Sequence, residues 1–246
     1  TRIKLWCYIS SATRSPLIVN NDLLYRLQVR IEKKSLLEHP FYQAWQAGEL
    51  TLRDLKGYAE QYYFFEASFP RYLSAIHARC PDRTVRQDIL NNLWDEEHGE
   101  NNHRAMWLDF CSGLGLDRKQ VEAADVDAKT QELLDTYADI CNNGSFQEGL
   151  AAIYAYEAQV PRVASEKKRG LKEFYLFDQP DAVQFFEVHA LLDEDHSDKE
   201  ARAIASKTDA DNEAAVEIAL QGALEAWWRF LDGVEERRHE LEAVGK

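Results

Sequence analysis

Cysteine is scarce and unpaired in pattern. Four residues, Cys7, Cys80, Cys111 and Cys141, lie far apart with no Cys-x-x-Cys. That argues against a disulfide scaffold and for reduced thiols in a cytoplasmic protein. Glycine (11 residues) and proline (6) are few in 246 positions, and strand-type alternation is almost missing. Both absences point to helices. No apolar run approaches the ~20 residues of a membrane helix. The first 20 residues contain Arg2 and Lys4 but no apolar stretch with a small-residue cleavage site, so they do not read as a signal peptide. Positive charge is also short, with 29 Lys and Arg against 43 Asp and Glu, a formal net charge of −14. Nucleic acid is disfavoured, because phosphate recognition needs clustered cations, and so is an anionic membrane surface. No Gly- or Ser-rich linker, repeat or low-complexity segment divides the chain.

What remains is helical periodicity over most of the length. Asn21 or Asp22 can cap a first helix reaching Lys34, and a short helix follows His39-Pro40. Thr51 with Asp54 forms a capping signal for a helix to about Arg79. A long helix is expected from Arg83 to about Ser112, stopped by Gly113-Leu114-Gly115. Shorter ones start at Asp117 and Thr130, and Ser145 caps a helix expected to reach Lys168. Gln179-Pro180-Asp181 opens a helix to about Lys207, and Ala210 to Ala243 makes the last, with Val216, Ile218, Leu220, Leu224, Trp227, Phe230, Leu231 and Val234 as its apolar positions. The expected fold is all-α, a bundle of seven or eight helices in one domain over 21–246, preceded by an extension of low order at 1–20.

Six residues stand out on this background: Glu96, His103, Glu157, His189, Asp193 and His196. His189, Asp193 and His196 follow at i, i+4 and i+7 and so share a helix face. Glu96 and His103 are seven apart, about two turns on the expected long helix. Glu157 comes from a third helix. Three carboxylates and three imidazoles suit two transition-metal ions, iron or manganese, because carboxylates can bridge and imidazoles add no negative charge. Against two divalent ions they leave a charge of +1 (4 − 3). A lone histidine is more often a core or surface residue; the spacing and the company of carboxylates favour metal here. His98 is two residues from Glu96, points to nearly the opposite face and is left out, as is His77. No Glu-x-x-His pair of the kind that ferritin-like bundles use twice occurs among the six, so another helical fold is expected.

Several segments in order resemble the family of the chlamydial protein associating with death domains, within the haem-oxygenase-like superfamily that also holds pyrroloquinoline-quinone synthase and the type II thiaminases. They are Leu37–Trp45 (LEHPFYQAW), Tyr72–Cys80 (YLSAIHARC), Asn92–Glu97 (NLWDEE), Tyr154–Arg162 (YAYEAQVPR), Glu166–Leu171 (EKKRGL) and His189–His196. The resemblance spans about residues 22 to 240. It implies seven helices around a dimetal site whose six ligands fall on the residues named above. It further implies an enzyme that uses O2 and an external reductant to form p-aminobenzoate for folate, with one of its own tyrosines as the ring and a lysine as amino donor. The matching positions are Tyr42 and Lys167, with Tyr156 as a pocket tyrosine. A further family tyrosine aligns with Phe185, where no radical relay can operate although packing can be kept.

Read without the resemblance, Tyr42 is a partly buried helix tyrosine, and Lys167 belongs to a basic run favoured by a helix C-terminus. Residue types do not decide between Fe/Fe, Mn/Fe and Mn/Mn. A homodimer is compatible with the resemblance. Two other functions stay open at this point: a dimetal oxidase acting on an external small molecule, and a protein-interaction module for a death-domain partner, for which no sequence element can be assigned.

Overall fold

The computed structural model describes residues 20–177 and 179–244. Most of the expected N-terminal extension, together with Cys7, lies outside them. The described chain is all-α, as the sequence predicts, but with eleven α-helices and one 3-10 turn rather than seven or eight helices. They are α1 (Asn21–Lys33), α2 (Pro40–Ala47), α3 (Leu52–Arg79), α4 (Arg83–Glu97), α5 (His103–Gly113), α6 (Arg118–Glu122), α7 (Ala128–Asn143), α8 (Phe146–Glu157), α9 (Val160–Phe174), α10 (Pro180–Lys207) and α11 (Glu213–Val244), with the turn at Leu36–Glu38. Among the described residues no helix is long and apolar enough to cross a membrane.

Part of the higher count comes from two expected helices that each break once. The segment from Arg83 to Ser112 divides into α4 and α5. His98 takes an extended backbone (φ −78°, ψ 136°) and Gly99 a left-handed one (φ 82°). Asn102 then restarts the helix: its side chain accepts from Ala105 N at 3.0 Å, and its amide donates to Gly99 O at 3.1 Å. A left-handed glycine and an N-capping asparagine three residues apart outweigh the helical periodicity around them. The segment from Ser145 to Lys168 likewise divides, at Ala158-Gln159, into α8 and α9. Pro161 is the cause, since its ring nitrogen cannot donate to the Glu157 carbonyl and its ring crowds that carbonyl.

Other starts follow the expected chemistry. Thr51 and Asp54 form a reciprocal capping box on α3, and Ser145 and Glu148 form one on α8. The first helix is capped by Asn20 rather than by Asn21 or Asp22. In α11, Trp227, Phe230, Leu231 and Val234 face inward, whereas Ile218, expected among the apolar positions, is exposed on the outer face.

Helix α8 is the axis of the packing. From Gly149 to Glu157 every residue is buried, and the helix is flanked by α3, α7, α10 and α11. A helix apolar on all sides is a core helix. Around it lies one hydrophobic cluster with a dense aromatic content. Three buried indoles have their N–H groups satisfied: Trp45 donates to Lys167 O, Trp107 to Ala59 O and Trp227 to Tyr137 Oη. Cys80, Cys111 and Cys141 are buried free thiols, as expected for reduced cysteines.

The Thr51 cap offers a check on the helix-start argument. Thr51→Ala removes the side-chain acceptor for Asp54 N and should cost about 1 kcal/mol, or roughly 2–4 °C in melting temperature for a chain of this size. Calorimetry on the purified variant reads this directly, and an unchanged midpoint would contradict the stabilising role given to the box.

Candidate metal centre

Four helices deliver the six residues singled out in the sequence. Glu96 ends α4, His103 begins α5, Glu157 ends α8, and His189, Asp193 and His196 share one face of α10. Each is 4 % exposed or less. The break between α4 and α5 therefore corrects one inference while keeping its members. Glu96 and His103 do not share a helix; the turn at His98–Asn102 folds the start of α5 back so that His103 Nδ1 comes within 2.8 Å of Glu96 Oε2. The excluded histidines lie elsewhere: His98 is exposed and stacks on Trp94, and His77 is half-buried on α3. Arg162 is exposed on α9.

The cluster has two halves. In the first, ligand-type atoms of Glu66, Glu96, His103 and His189 all lie within 4.8 Å of one another. The His103 and His189 rings are 4.3 Å apart, and His189 Nδ1 donates to Phe185 O at 2.9 Å. A carbonyl only accepts, so Nδ1 carries the proton and Nε2 keeps a free lone pair. The second half holds Glu157, Asp193 and His196. Asn92 Nδ2 donates to Glu157 Oε1 at 2.9 Å, His196 Nε2 meets Asp95 Oδ2 at 3.2 Å, and His196 Nδ1 lies 3.8 Å from Asp193 Oδ1. A carboxylate on the outer ring nitrogen fixes the imidazole and leaves the inner one open, a common support for a metal-binding histidine.

The inward-facing atoms are without partners. Glu66 Oε1, Glu157 Oε2, Asp193 Oδ2, His196 Nδ1 and both oxygens of Glu200 are buried and without a hydrogen-bond partner, whereas His103 Nδ1 is engaged by Glu96. Buried polar atoms are nearly always satisfied, so a group of orphans aimed at one region signals something that satisfies them all. Their electrostatics agree. Burial, reinforced by Glu157 and Glu96, holds the Asp193 carboxyl well above its usual range. Burial also raises Glu157, and raises Glu66 to about 8 with Glu96 adding to it. Burial would lower His103, but the Glu96 charge outweighs it and takes His103 to about 9. Carboxyls held together away from water, with imidazoles among them, are what two cations would neutralise.

Two of these residues escape the spacing argument. Glu66 and Glu200 are buried carboxyls on α3 and α10. Glu200 stands one turn beyond His196, a signal present in the sequence. Glu66 stands four residues after Tyr62 within the buried aromatic stripe Tyr58, Tyr62, Phe65 and Phe69, where a carboxylate is out of place.

Beside the cluster lies a second buried constellation. Lys167 is 4 % exposed; its Nζ donates to Tyr58 Oη at 2.6 Å, and Tyr58 Oη pairs with Tyr42 Oη at 2.9 Å. The ammonium nitrogen is 5.1 Å from the Tyr42 ring centre and 4.9 Å from that of Tyr62. Tyr156 pairs through its hydroxyl with Tyr62 and stacks on Trp227 at 4.8 Å. Tyr42 makes no ring contact with the three histidines; Tyr62 and Phe185 stand between, 6.3 Å apart. Phe185 packs on His189 at 4.0 Å and lies 6.4 Å from His103, so it keeps a ring at the position where the family has a tyrosine. Burial pulls the Lys167 amine down to about 7, with the Glu66 charge opposing.

A helical bundle with a carboxylate–imidazole centre at its core defines a class of metal-dependent redox proteins. The chain belongs to the family of iron-containing redox enzymes, whose pattern matches residues 56–230. It is 43 % identical over 229 residues to the 4-aminobenzoate synthase of Nitrosomonas europaea, covering 89 % of this chain and 93 % of that protein. It is 38 % identical to the 4-aminobenzoate synthase of Chlamydia muridarum over 87 % of this chain and 90 % of the other. Its fold superposes on a TenA homologue from Pseudomonas syringae with a TM-score of 0.75 at 17 % identity, covering 90 % and 97 % of the two chains. The resemblance inferred from the motifs, including the haem-oxygenase-like fold, therefore holds.

The buried lysine yields a prediction with a definite sign. Unfolding returns Lys167 from about 7 to its ordinary value of 10.5, so between those values the unfolded chain binds the extra proton. This residue's contribution to stability then rises with pH across that window. In metal-free protein, Lys167→Met should be stabilised relative to the parent near pH 7, and the advantage should shrink towards pH 10. Denaturant unfolding at several pH values measures it; a difference independent of pH would mean that the amine is not held uncharged by burial.

Proposed function

We propose that the protein forms 4-aminobenzoate in an O2-dependent reaction at a dimetal centre held by Glu96, His103, Glu157, His189, Asp193 and His196. The observation that carries this reading is the pairing of two buried groups: unpartnered carboxylates and imidazoles on one side, and Lys167 beside Tyr42 on the other. The names of the relatives supply the product. Orphaned oxygens and nitrogens fit cations of the iron or manganese type, since mixed oxygen and imidazole donors suit both. When bound, such ions supply redox chemistry with O2, drawing electrons from an external reductant.

The chain's own residues do the rest. Lys167, pulled down to about 7 by burial, has its uncharged amine, which carries the lone pair that an ammonium lacks, available beside the Tyr42 ring near neutral pH. Tyr58 holds both groups by its hydroxyl. Tyr62, Trp107, Tyr156 and Trp227 close a sheath of rings that keeps bulk water from the reacting groups. In this reading Tyr42 gives the aromatic ring, Lys167 gives the nitrogen, and Tyr156 orients Tyr62 between them and the cluster.

An internal ring source fits the space available. The cavity that touches the cluster, lined by Asn92, His196 and Glu200 and otherwise largely apolar, is about 20 Å³. That admits a molecule the size of water or O2.

Labelling decides the source. Protein carrying ring-labelled tyrosine, given metal, reductant, O2 and only unlabelled small molecules, should release labelled 4-aminobenzoate. Tyr42→Phe should lose at least tenfold of the product while binding as much metal as the parent. Unlabelled product, or undiminished output from the variant, would transfer the reaction to an external substrate.

A further inference from the structure

We propose that Glu66 is a further protein ligand of the metal centre, completing the half formed by Glu96, His103 and His189. The proposal rests on the dimetal reading above and extends it to a residue on α3, a helix that contributes none of the six.

Geometry carries the assignment. One carboxylate oxygen of Glu66 lies within 4.8 Å of ligand-type atoms on all three of the other residues. Atoms that share one ion at ~2.0–2.2 Å stand at most about 4.4 Å apart, so only a small contraction is needed for all four to reach it. Glu66 is 3 % exposed, and its Oε1 has no hydrogen-bond partner. The residue also interrupts the aromatic stripe of α3, where Tyr62, Phe65 and Phe69 are packed against the core. Packing alone would favour an apolar side chain there.

The backbone offers an independent parallel. Pro70 stands four residues after Glu66 inside α3, as Pro161 stands four residues after Glu157 at the end of α8. In each case a missing N–H removes the rung to the glutamate's own carbonyl. Each glutamate thus stands one turn before a missing backbone rung, at which α8 ends while α3 continues. Charge points the same way. Three ligand carboxylates leave two divalent ions with +1, and a Glu66 carboxylate brings the ligand set to zero (4 − 4), the smaller desolvation burden.

The test uses the whole chain and Mn(II) as the probe, with readouts other than turnover. The parent should bind two Mn(II) per chain by calorimetry and elemental analysis. Glu66→Gln should weaken one of the two by at least tenfold, alter the electron paramagnetic resonance spectrum of the loaded centre, and shrink the rise in melting temperature on loading. Glu66→Asp, which keeps a carboxylate on a shorter arm, should recover part of the affinity. Two undiminished Mn(II) affinities with an unchanged spectrum in Glu66→Gln would overturn the assignment and leave the six-residue centre standing. A parent that binds no Mn(II) would overturn both. Should the glutamine variant fail to fold, anomalous diffraction from Mn(II)-loaded parent crystals decides: a Glu66 oxygen within about 2.5 Å of an ion supports the assignment, and one beyond hydrogen-bonding range of it removes it.

Discussion

Repulsion among buried carboxylates is the constraint on which the rest of the molecule depends. Glu157, Asp193 and Glu200 are gathered away from water, and burial holds each carboxyl above the usual range, with the Glu157 charge adding to the rise at Asp193 and Glu200 and the Glu96 charge to that at Glu157. A fold that gathers such groups without counter-charge gives up stability. The surroundings are built to hold them in place all the same. Asn92 bonds Glu157, Asp95 reaches the outer nitrogen of His196, and the Phe185 carbonyl takes the Nδ1 proton of His189. These contacts orient the ligand-type atoms inward and leave their inner faces unsatisfied. Two cations would resolve the conflict, and mass action would then tie metal binding to folding.

The helix interruptions serve the same end. A continuous helix from Arg83 to Ser112 would keep Glu96 and His103 about 10 Å apart along its axis, at ~1.5 Å per residue. The left-handed Gly99 and the Asn102 cap bring His103 back against Glu96 instead. Pro161 ends α8 at Glu157, and α9 then sets off in a new direction carrying Lys167. The amine is thereby brought under Tyr42 and Tyr58, in a sheath of rings that spans α2, α3, α5 and α11. Core packing and site construction are the same act in this fold, because α8 is at once the central apolar helix and the bearer of Glu157 and Tyr156.

How much of this could be read in the chain depends on distance along it. The face shared by His189, Asp193 and His196 is local, obeys the helical repeat and survives unchanged in α10. Glu96 and His103 do come together, but from two helices and not along one, because periodicity registers a seven-residue interval but not a left-handed glycine between its ends. Glu66 was hidden by its neighbours: thirty residues separate it from Glu96, and an aromatic stripe reads as core. The approach of Lys167 to Tyr42 crosses 125 positions and six intervening helices. Residue spacing holds no trace of it, and only the resemblance of whole motifs pointed there.

The central claim is that the buried cluster holds two metal ions, and thermal unfolding across metal loading tests it most directly. Protein stripped by a chelator should melt several degrees below the same protein reconstituted with Fe(II) or Mn(II). The rise should saturate at two ions per chain by elemental analysis and be largely lost in His189→Ala. Superimposable melting curves for stripped and reconstituted protein, with no stoichiometric metal retained, would contradict the account.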